Sequence, residues 1–326
     1  MEPMKTDVAA IGELLIDFVQ NGCGPQGNPQ FEANPGGAPA NVLAMLGKLG
    51  RRCAFLGKVG QDAFGDQLEK TLKELRIDTS GLRRDPNIPT TLAIVHTLPG
   101  GDREFSFYRK PGADLMLRPD EVSEESIQNC RIFHFGTLSL TDEPCRSATE
   151  KALSLARRSG ALISFDPNLR LPLWESEEAA KAQIRRGLAQ ADILKISDNE
   201  AVFMTGIQDY PAAGRKLMEM YPNIRLLNLT MGAQGSLAFC GEKCVFEPAV
   251  HRGGVIETSG AGDTFCALVL HFLLDHPLDA LTEDALHQML RQANAAAYLV
   301  TTKKGVIPSL PDAERIRQLL EEMRLN

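Results

Sequence analysis

Glu257-Thr258-Ser259-Gly260-Ala261-Gly262-Asp263-Thr264-Phe265 passes from small and polar residues straight into an uncharged apolar run that continues to Leu274. Small side chains at a helix start let backbone N–H groups converge on an anion, and the helix dipole adds to that attraction. The stretch predicts a helix from Gly260 to Leu274 with an oxyanion or phosphate hole at its mouth. Asp263 stands in the first turn, where an acid is odd if attracting negative charge is the only task. Two readings stay open: Asp263 caps the helix, or it takes a proton from a nucleophilic hydroxyl while the neighbouring amides stabilise a phosphoryl group.

Upstream of this turn, short apolar runs bounded by glycine and polar residues recur at Val8 to Ile11, Cys53 to Val59, Ile132 to Phe135, Ala161 to Phe165, Ile193 to Ile196 and Arg225 to Leu229. Helical patterns lie between them, at Ala38 to Leu49, Ala63 to Leu75, Cys145 to Arg158, Ala179 to Ala189 and Ala213 to Met220. Such alternation predicts a mainly parallel sheet with helices on both faces. Two stretches break it. Leu14 to Phe18, followed by a loop rich in Gly, Pro and Asn, reads as strand and turn. Thr90 to Leu98 and Glu104 to Arg109 read as a hairpin around Pro99, Gly100 and Gly101. Together they predict a small β-lobe over one edge of the sheet. Downstream come a hairpin at Ser236 to Phe246, a helix from Glu283 to Val300, and an amphipathic helix from Asp312.

The chain of 326 residues reads as one large domain with an insertion, since its 43% hydrophobic and 24% charged composition is that of a globular protein. A formal charge of −7, with scattered basic residues, disfavours non-specific binding to nucleic acid or to an anionic membrane. The run from Thr264 to Leu274 falls far short of the roughly 20 residues of a membrane span, and the apolar stretch after Lys5 is broken by Glu13 and Asp17, so no signal peptide is visible. Seven cysteines without regular spacing point to a reducing, cytoplasmic setting.

Several tempting motifs lack their context. Gly22, Gly24 and Gly27 match a dinucleotide fingerprint, but Asn28 and Pro29 follow instead of a helix. Cys240 and Cys244 have no second pair of metal ligands and read as neighbours on a hairpin. His134, between Phe133 and Phe135, reads as a satisfied strand residue. By contrast, Gly36-Gly37-Ala38-Pro39-Ala40-Asn41 opens a helix, and both Asp166-Pro167-Asn168-Leu169-Arg170 and Thr230-Met231-Gly232-Ala233-Gln234-Gly235 follow strands. Ligands of open α/β sheets bind beyond the carboxyl ends of strands, where all these turns belong.

Taken together, the GAGD turn and the GGAPAN segment resemble the two signatures of the ribokinase-like (PfkB) family of carbohydrate kinases, and the resemblance covers essentially the whole chain. FSFYRKPGADLML, FHFGTLSL, SFDPNLRLPLW, KISDNEAVFMTG and TTKKGVIPSLP are similar to segments of the bacterial and plant fructokinases within that family. The resemblance implies an α/β fold, a three-layer α/β/α sandwich on a mainly parallel sheet. It spans 1–326, with a small β-sheet lid formed by about 13–35 and 88–112.

It also implies an ATP-dependent kinase acting at O6 of fructose, with Asp263 as base and the amides of Gly260, Ala261 and Gly262 as anion hole. Arg170 is implied near the transferring phosphate. Asp17, Gly36, Gly37, Asn41, Phe107, Arg109 and Asn168 are implied around the sugar. Thr230, Gly232 and Gly235 match the nucleotide-phosphate turn, and Asn294 the residue near adenine. Glu200 matches the glutamate of an NxxE motif that orders water around Mg2+, although Ser197 replaces its asparagine. Glu257, Ser259, Val300, Lys303, Gly305 and Ser309 match a monovalent cation (K+) site, with Glu257 where aspartate is usual. The family also implies a homodimer paired through the lid. Two alternatives stand beside this reading. One is a sister kinase for 2-keto-3-deoxygluconate, whose carboxylate Arg109 could serve. The other is a catalytically silent sugar-binding regulator, against which the intact Asp263, Gly260, Gly262 and Arg170 argue.

Overall fold

The structure is a computed structural model that describes residues 6–97 and 103–324. Its strands are β1 (Thr6–Ile11), β2 (Leu15–Cys23), β3 (Pro29–Gly36), β4 (Cys53–Gly60), β5 (Asp78–Asp85), β6 (Leu92–Thr97), β7 (Arg103–Tyr108), β8 (Cys130–Gly136), β9 (Leu162–Asp166), β10 (Ile193–Ser197), β11 (Leu226–Thr230), β12 (Ser236–Cys240) and β13 (Lys243–Glu247). Helices are α1 (Ala38–Lys48), α2 (Ala63–Glu74), α3 (Glu124–Gln128), α4 (Cys145–Arg158), α5 (Glu177–Leu188), α6 (Asp198–Thr205), α7 (Tyr210–Met220), α8 (Ala261–Asp275), α9 (Glu283–Thr301), α10 (Val306–Ser309) and α11 (Ala313–Arg324).

β1 shows why three layers form. Val8 and Ala10 turn into one core and Ala9 and Ile11 into another, all fully buried. A strand buried on both faces needs helices on both sides. The nine-stranded sheet runs β13-β12-β11-β10-β9-β8-β1-β4-β5, parallel from β11 to β5 and antiparallel at the β11-β12-β13 edge. Helices α1, α2, α8, α9 and α11 contribute to the core on one face, and α4 to α7 to the core on the other. α8 is buried on nearly every side from Thr264 to Leu274, packed against α1 and α9. An apolar helix of this kind is stable only as an inner element.

The second sheet has the order β3-β2-β6-β7. It is fastened to the main body by an edge-to-face contact between Phe18 and Phe64 of α2, with ring centroids 5.6 Å apart, and by Gln67 Nε2 donating to the Ala33 carbonyl at 3.1 Å. The small β-lobe expected from the sequence is this sheet. Pro99, Gly100 and Gly101, assigned to the hairpin turn, lie outside the described residues. Three elements differ from expectation. Pro29–Gly36 is a strand rather than a loop, paired edge-on with β2. Asp78–Asp85 is an edge strand beside β4 that its four charged residues had concealed. Asp198–Thr205 is a helix, begun by a capping box between Ser197 and Glu200.

The discounted motifs sit as expected. Gly22 lies near the end of β2, and Gly24 and Gly27 belong to the β2–β3 connection, with no helix behind them. Cys240 and Cys244 lie on neighbouring strands β12 and β13, and all seven cysteines are free. Buried His134 shares a 3.0 Å hydrogen bond with Ser164, and burial pushes its ring down to about 3, so it is neutral. No helix among the described residues is long and apolar enough to cross a membrane.

Close packing also accounts for glycine at 187. A Cβ there would meet the Phe165 ring at 2.3 Å, and that ring is stacked on Phe135 at 4.6 Å. Gly187→Ala is expected to lower unfolding free energy by about 1–3 kcal/mol through overpacking, read from urea denaturation.

Candidate active site

The first turn of α8 opens on a cavity lined by Glu13, Asp17, Gly37, Asn41, Phe107 and Asn168 together with Arg170, Ser259, Gly260 and Asp263. The sequence brings these together through four chain reversals. Gly260 takes a left-handed φ of 74° at the helix start, and a Cβ there would strike Val306 Cγ1 at 2.3 Å. Only glycine fits. Ala261 and Gly262 open the helix behind it, at the turn that the sequence marks as an anion hole; Ala261 N–H donates to the Thr258 carbonyl at 3.4 Å.

Asp263 does not cap the helix through its side chain. Its Oδ2 accepts a 2.8 Å hydrogen bond from Asn41 Nδ2 on α1. Removal from water raises its proton affinity, an effect opposed by Asn41 and by the charges of Lys195 and Arg170. A carboxylate less acidic than usual is a better proton acceptor.

Asp17 on β2 lines the same cavity. A Cβ on Gly36 would lie 2.2 Å from Asp17 Oδ2, so the bare backbone of β3 is what lets that carboxylate sit where it does. Gly37, with φ 116°, begins α1, and a Cβ there would meet the Glu13 carbonyl at 2.3 Å. Phe107 reaches the cavity from β7. Asn168 takes the left-handed conformation, φ 44°, that turns the loop after β9 and brings Arg170 to the cavity.

Arg109 is a correction. It was expected to face the sugar, but its buried guanidinium is consumed behind the small sheet. Nε donates to Asp114 Oδ2 at 2.8 Å, Nη1 to Thr141 Oγ1 at 3.1 Å and Nη2 to the Leu138 carbonyl at 2.7 Å. Asn294 is likewise occupied. Its Oδ1 accepts from Ser236 Oγ at 3.0 Å, and its Nδ2 donates to the Glu247 and Pro248 carbonyls, tying α9 to the β12–β13 edge. Thr230 ends β11, and Gly232 and Gly235 shape the next turn, where Met231 N–H donates to the Gly235 carbonyl. At Gly235, φ 120° and a Cβ that would lie 2.2 Å from the Glu247 carbonyl again demand glycine.

Glu200 also faces inward. Oε1 accepts from Leu169 N–H at 2.7 Å, and Oε2 from Ser197 N–H and Ser197 Oγ, both at 2.8 Å. Lys195 and these donors outweigh the cost of burial and hold its carboxyl below the usual range. The geometry makes Glu200 an anchor of the Asp166–Arg170 loop. No group of three His, Cys, Asp or Glu side chains suited to a metal is found among the described residues. In the loop expected to hold a monovalent cation, Glu257 Oε2 accepts from Gly305 N–H at 3.1 Å, and Ser309 Oγ donates to the Lys304 carbonyl. Val300 is buried in α9, and Lys303 is exposed.

Three residues escaped the sequence reading. Glu13 lines the cavity; its Oε1 accepts from Ala38 N–H at 2.7 Å, while its buried Oε2 has no partner. Lys195 and Asp166 form a buried ion pair of 3.0 Å beneath α8. Burial pushes Asp166 up to about 6, against the pull of Lys195.

A base beside a helix mouth, facing carboxylate and amide groups across one cavity, can hold a hydroxylated molecule while an anionic group is passed to it. Residues 5–313 match the pfkB family carbohydrate kinases, and the chain belongs to that family. It is 41% identical to "Probable fructokinase-4" of Arabidopsis thaliana, with 97% of each chain covered. A fructokinase from Xylella fastidiosa with bound ATP superposes with a TM-score of 0.89 at 29% identity, covering 98% of this chain and 100% of that one. A double mutant of the Vibrio cholerae fructokinase, in its fructose, ADP and potassium ion bound form, gives 0.85 at 29% identity, covering 97% and 99%.

Burial pushes Glu13 from 4.5 up to about 7, partly offset by the Ala38 hydrogen bond and Arg109. A raised carboxyl stabilises the fold below its unfolded value, and that contribution is lost as pH climbs through the folded value. The stability of Glu13→Gln relative to the unsubstituted protein should therefore rise by up to about 3 kcal/mol between pH 5 and 8. Urea unfolding at several pH values checks this; a gap that stays flat would remove burial as the cause.

Proposed function

We propose that this carbohydrate kinase is an ATP-dependent fructokinase, moving the γ-phosphoryl group of ATP to O6 of D-fructose. The observation that carries the reading is Asp263, a carboxylate of raised proton affinity that lines the cavity at the amide-rich mouth of α8. Bound sugar places its primary hydroxyl against Asp263, which accepts the proton as the O6–phosphorus bond forms and the bond to ADP breaks. Gly260, Ala261 and Gly262 amides, with Arg170, offset charge on the moving group; a loose transition state needs mainly such positioning and neutralisation. Asp17, Gly36, Gly37, Asn41 and Asn168 hold the remaining hydroxyls, and Phe107 closes one wall against water, the competing acceptor. The turn at Thr230, Gly232 and Gly235 supports the nucleotide phosphates. Magnesium, carried on ATP, supplies further neutralisation when bound.

Relatives and solved structures named as fructokinases support the choice of sugar. So does the fate of Arg109: its three nitrogens are each bonded within the protein, to Asp114, Thr141 and Leu138, which argues against a role in holding the carboxylate of a keto-acid sugar. A coupled assay with fructose, 2-keto-3-deoxygluconate, ribose and adenosine is expected to give the highest kcat/KM for fructose; a value a hundredfold below the best rival would overturn the sugar assignment. Asp263→Asn should lower kcat by at least about a thousandfold while fructose binding by calorimetry stays measurable. Retained turnover would remove Asp263 as the base.

Two finer features belong to the same reading. Phe31 and Tyr108, exposed at 37% and 62% on the small sheet, fit the pairing of two copies through that face. Glu257 is one methylene longer than aspartate and already accepts the Gly305 amide, so the cation loop is partly filled by the protein itself. Activation by potassium over sodium or a bulky ammonium ion is expected to be less than about threefold, and Glu257→Asp to enlarge it. Strong potassium-selective activation of the unsubstituted enzyme would refute this.

A further inference from the structure

Lys195 stands at the middle of β10, beneath the mouth of α8, and no step above uses it. Its side chain is 9% exposed, with Nζ 3.0 Å from Asp166 Oδ2 and 3.3 Å from Oδ1. A Cβ on Gly262 would sit 2.9 Å from that Nζ, so the ammonium rests against the first turn of the helix at the anion hole. Asp166, Glu200 and Asp263 all act on it electrostatically. Of these, Glu200 is satisfied by Leu169 and Ser197, and Asp263 faces the cavity. Arg170 is the other cation whose field reaches Asp263.

A buried ion pair is a poor stabiliser, often replaceable by apolar side chains without loss. Its position against Gly262 supplies a different reason for keeping it. Asp166 and Glu200 behind the site, and Asp263 within it, would repel a phosphoryl group, and one ammonium packed under the helix mouth opposes that field at low local dielectric.

We infer that Lys195 is a positioning residue for phosphoryl transfer, its charge acting through the first turn of α8 to keep the anion hole electropositive against the charges of Asp166, Glu200 and Asp263. The inference rests on the phosphoryl-transfer reading of the site but not on which sugar is bound.

The test separates charge on the hole from mere neutralisation of Asp166. Lys195→Met/Asp166→Asn removes the pair as a unit, so its thermal midpoint should stay close to that of the unsubstituted enzyme. Its kcat should fall about a hundredfold, with KM for sugar and for ATP within about threefold. Asp166→Asn alone keeps the ammonium and should hold kcat within about tenfold. In a second readout, the affinity for ADP, magnesium and aluminium fluoride together, a mimic of the phosphoryl group in flight, should fall in the double variant while that for ADP alone does not. A double variant with kcat within threefold of the starting enzyme overturns the inference, as does Asp166→Asn losing as much as the double variant. Should the double variant fail to fold, Lys195→Arg decides: kcat within about tenfold supports a role for the charge, and a hundredfold loss refutes it. Turnover of fructose by the unsubstituted enzyme is the control. If another sugar is phosphorylated instead, the sugar assignment fails and the Lys195 comparison proceeds with that sugar.

Discussion

Burial of α8 is the constraint on which everything else depends. Its run from Thr264 to Leu274 has no polar face to offer water, so the helix must lie between α1 and α9 on one side of the sheet. A helix fixed there meets solvent mainly at its two ends. Its first turn therefore opens on the cavity, and Asp263 is carried there with it. Gly260 and Gly262 complete the arrangement from opposite sides, one yielding space to Val306 and the other to Lys195. Stability and chemistry thus draw on the same residues.

What could be read beforehand follows from how each element is stabilised. β1, β4 and β8 to β11 are buried, and their apolar runs stand out against polar connections. β3 and β5 are edge strands whose pairing on one side comes from backbone hydrogen bonds rather than from apolar side chains, so Pro29–Gly36 looked like a loop and Asp78–Asp85 like surface. α6 is short and held by the Ser197–Glu200 capping box, a signal that was present in the residues but had been assigned to magnesium. Candidate site residues on chain reversals were legible because such turns demand particular residue types: glycine at 36, 37, 260 and 235, asparagine at 168. Arg109, Asn294, Glu13 and Lys195 were not. Whether a long polar side chain points into a cavity or back into the protein depends on partners distant in the chain, such as Asp114 for Arg109 or Asp166 for Lys195.

A net charge of −7 sharpens the electrostatic picture. No general basic field draws a polyphosphate to this surface, and the cavity itself contains Glu13, Asp17 and Asp263. Attraction must be local: helix-end amides, Arg170, the buried ammonium of Lys195, and cations arriving with the nucleotide. Such sources act over a few ångströms and are little screened by salt, which favours discrimination at the reacting atoms over capture from a distance.

The contact between Gly260 and Val306 has an evolutionary side. Val306 follows Gly305, whose amide is held by Glu257, so the turn before α8 and the loop before α10 share one wall. A larger side chain at 306 would be tolerated only if the anion hole moved, and a shorter acid at 257 would free the backbone that places Val306. The two loops lie almost fifty residues apart in the chain, yet they form a single unit of change. Substitutions at 257, 260, 305 and 306 are expected to be inherited together across relatives rather than exchanged one at a time.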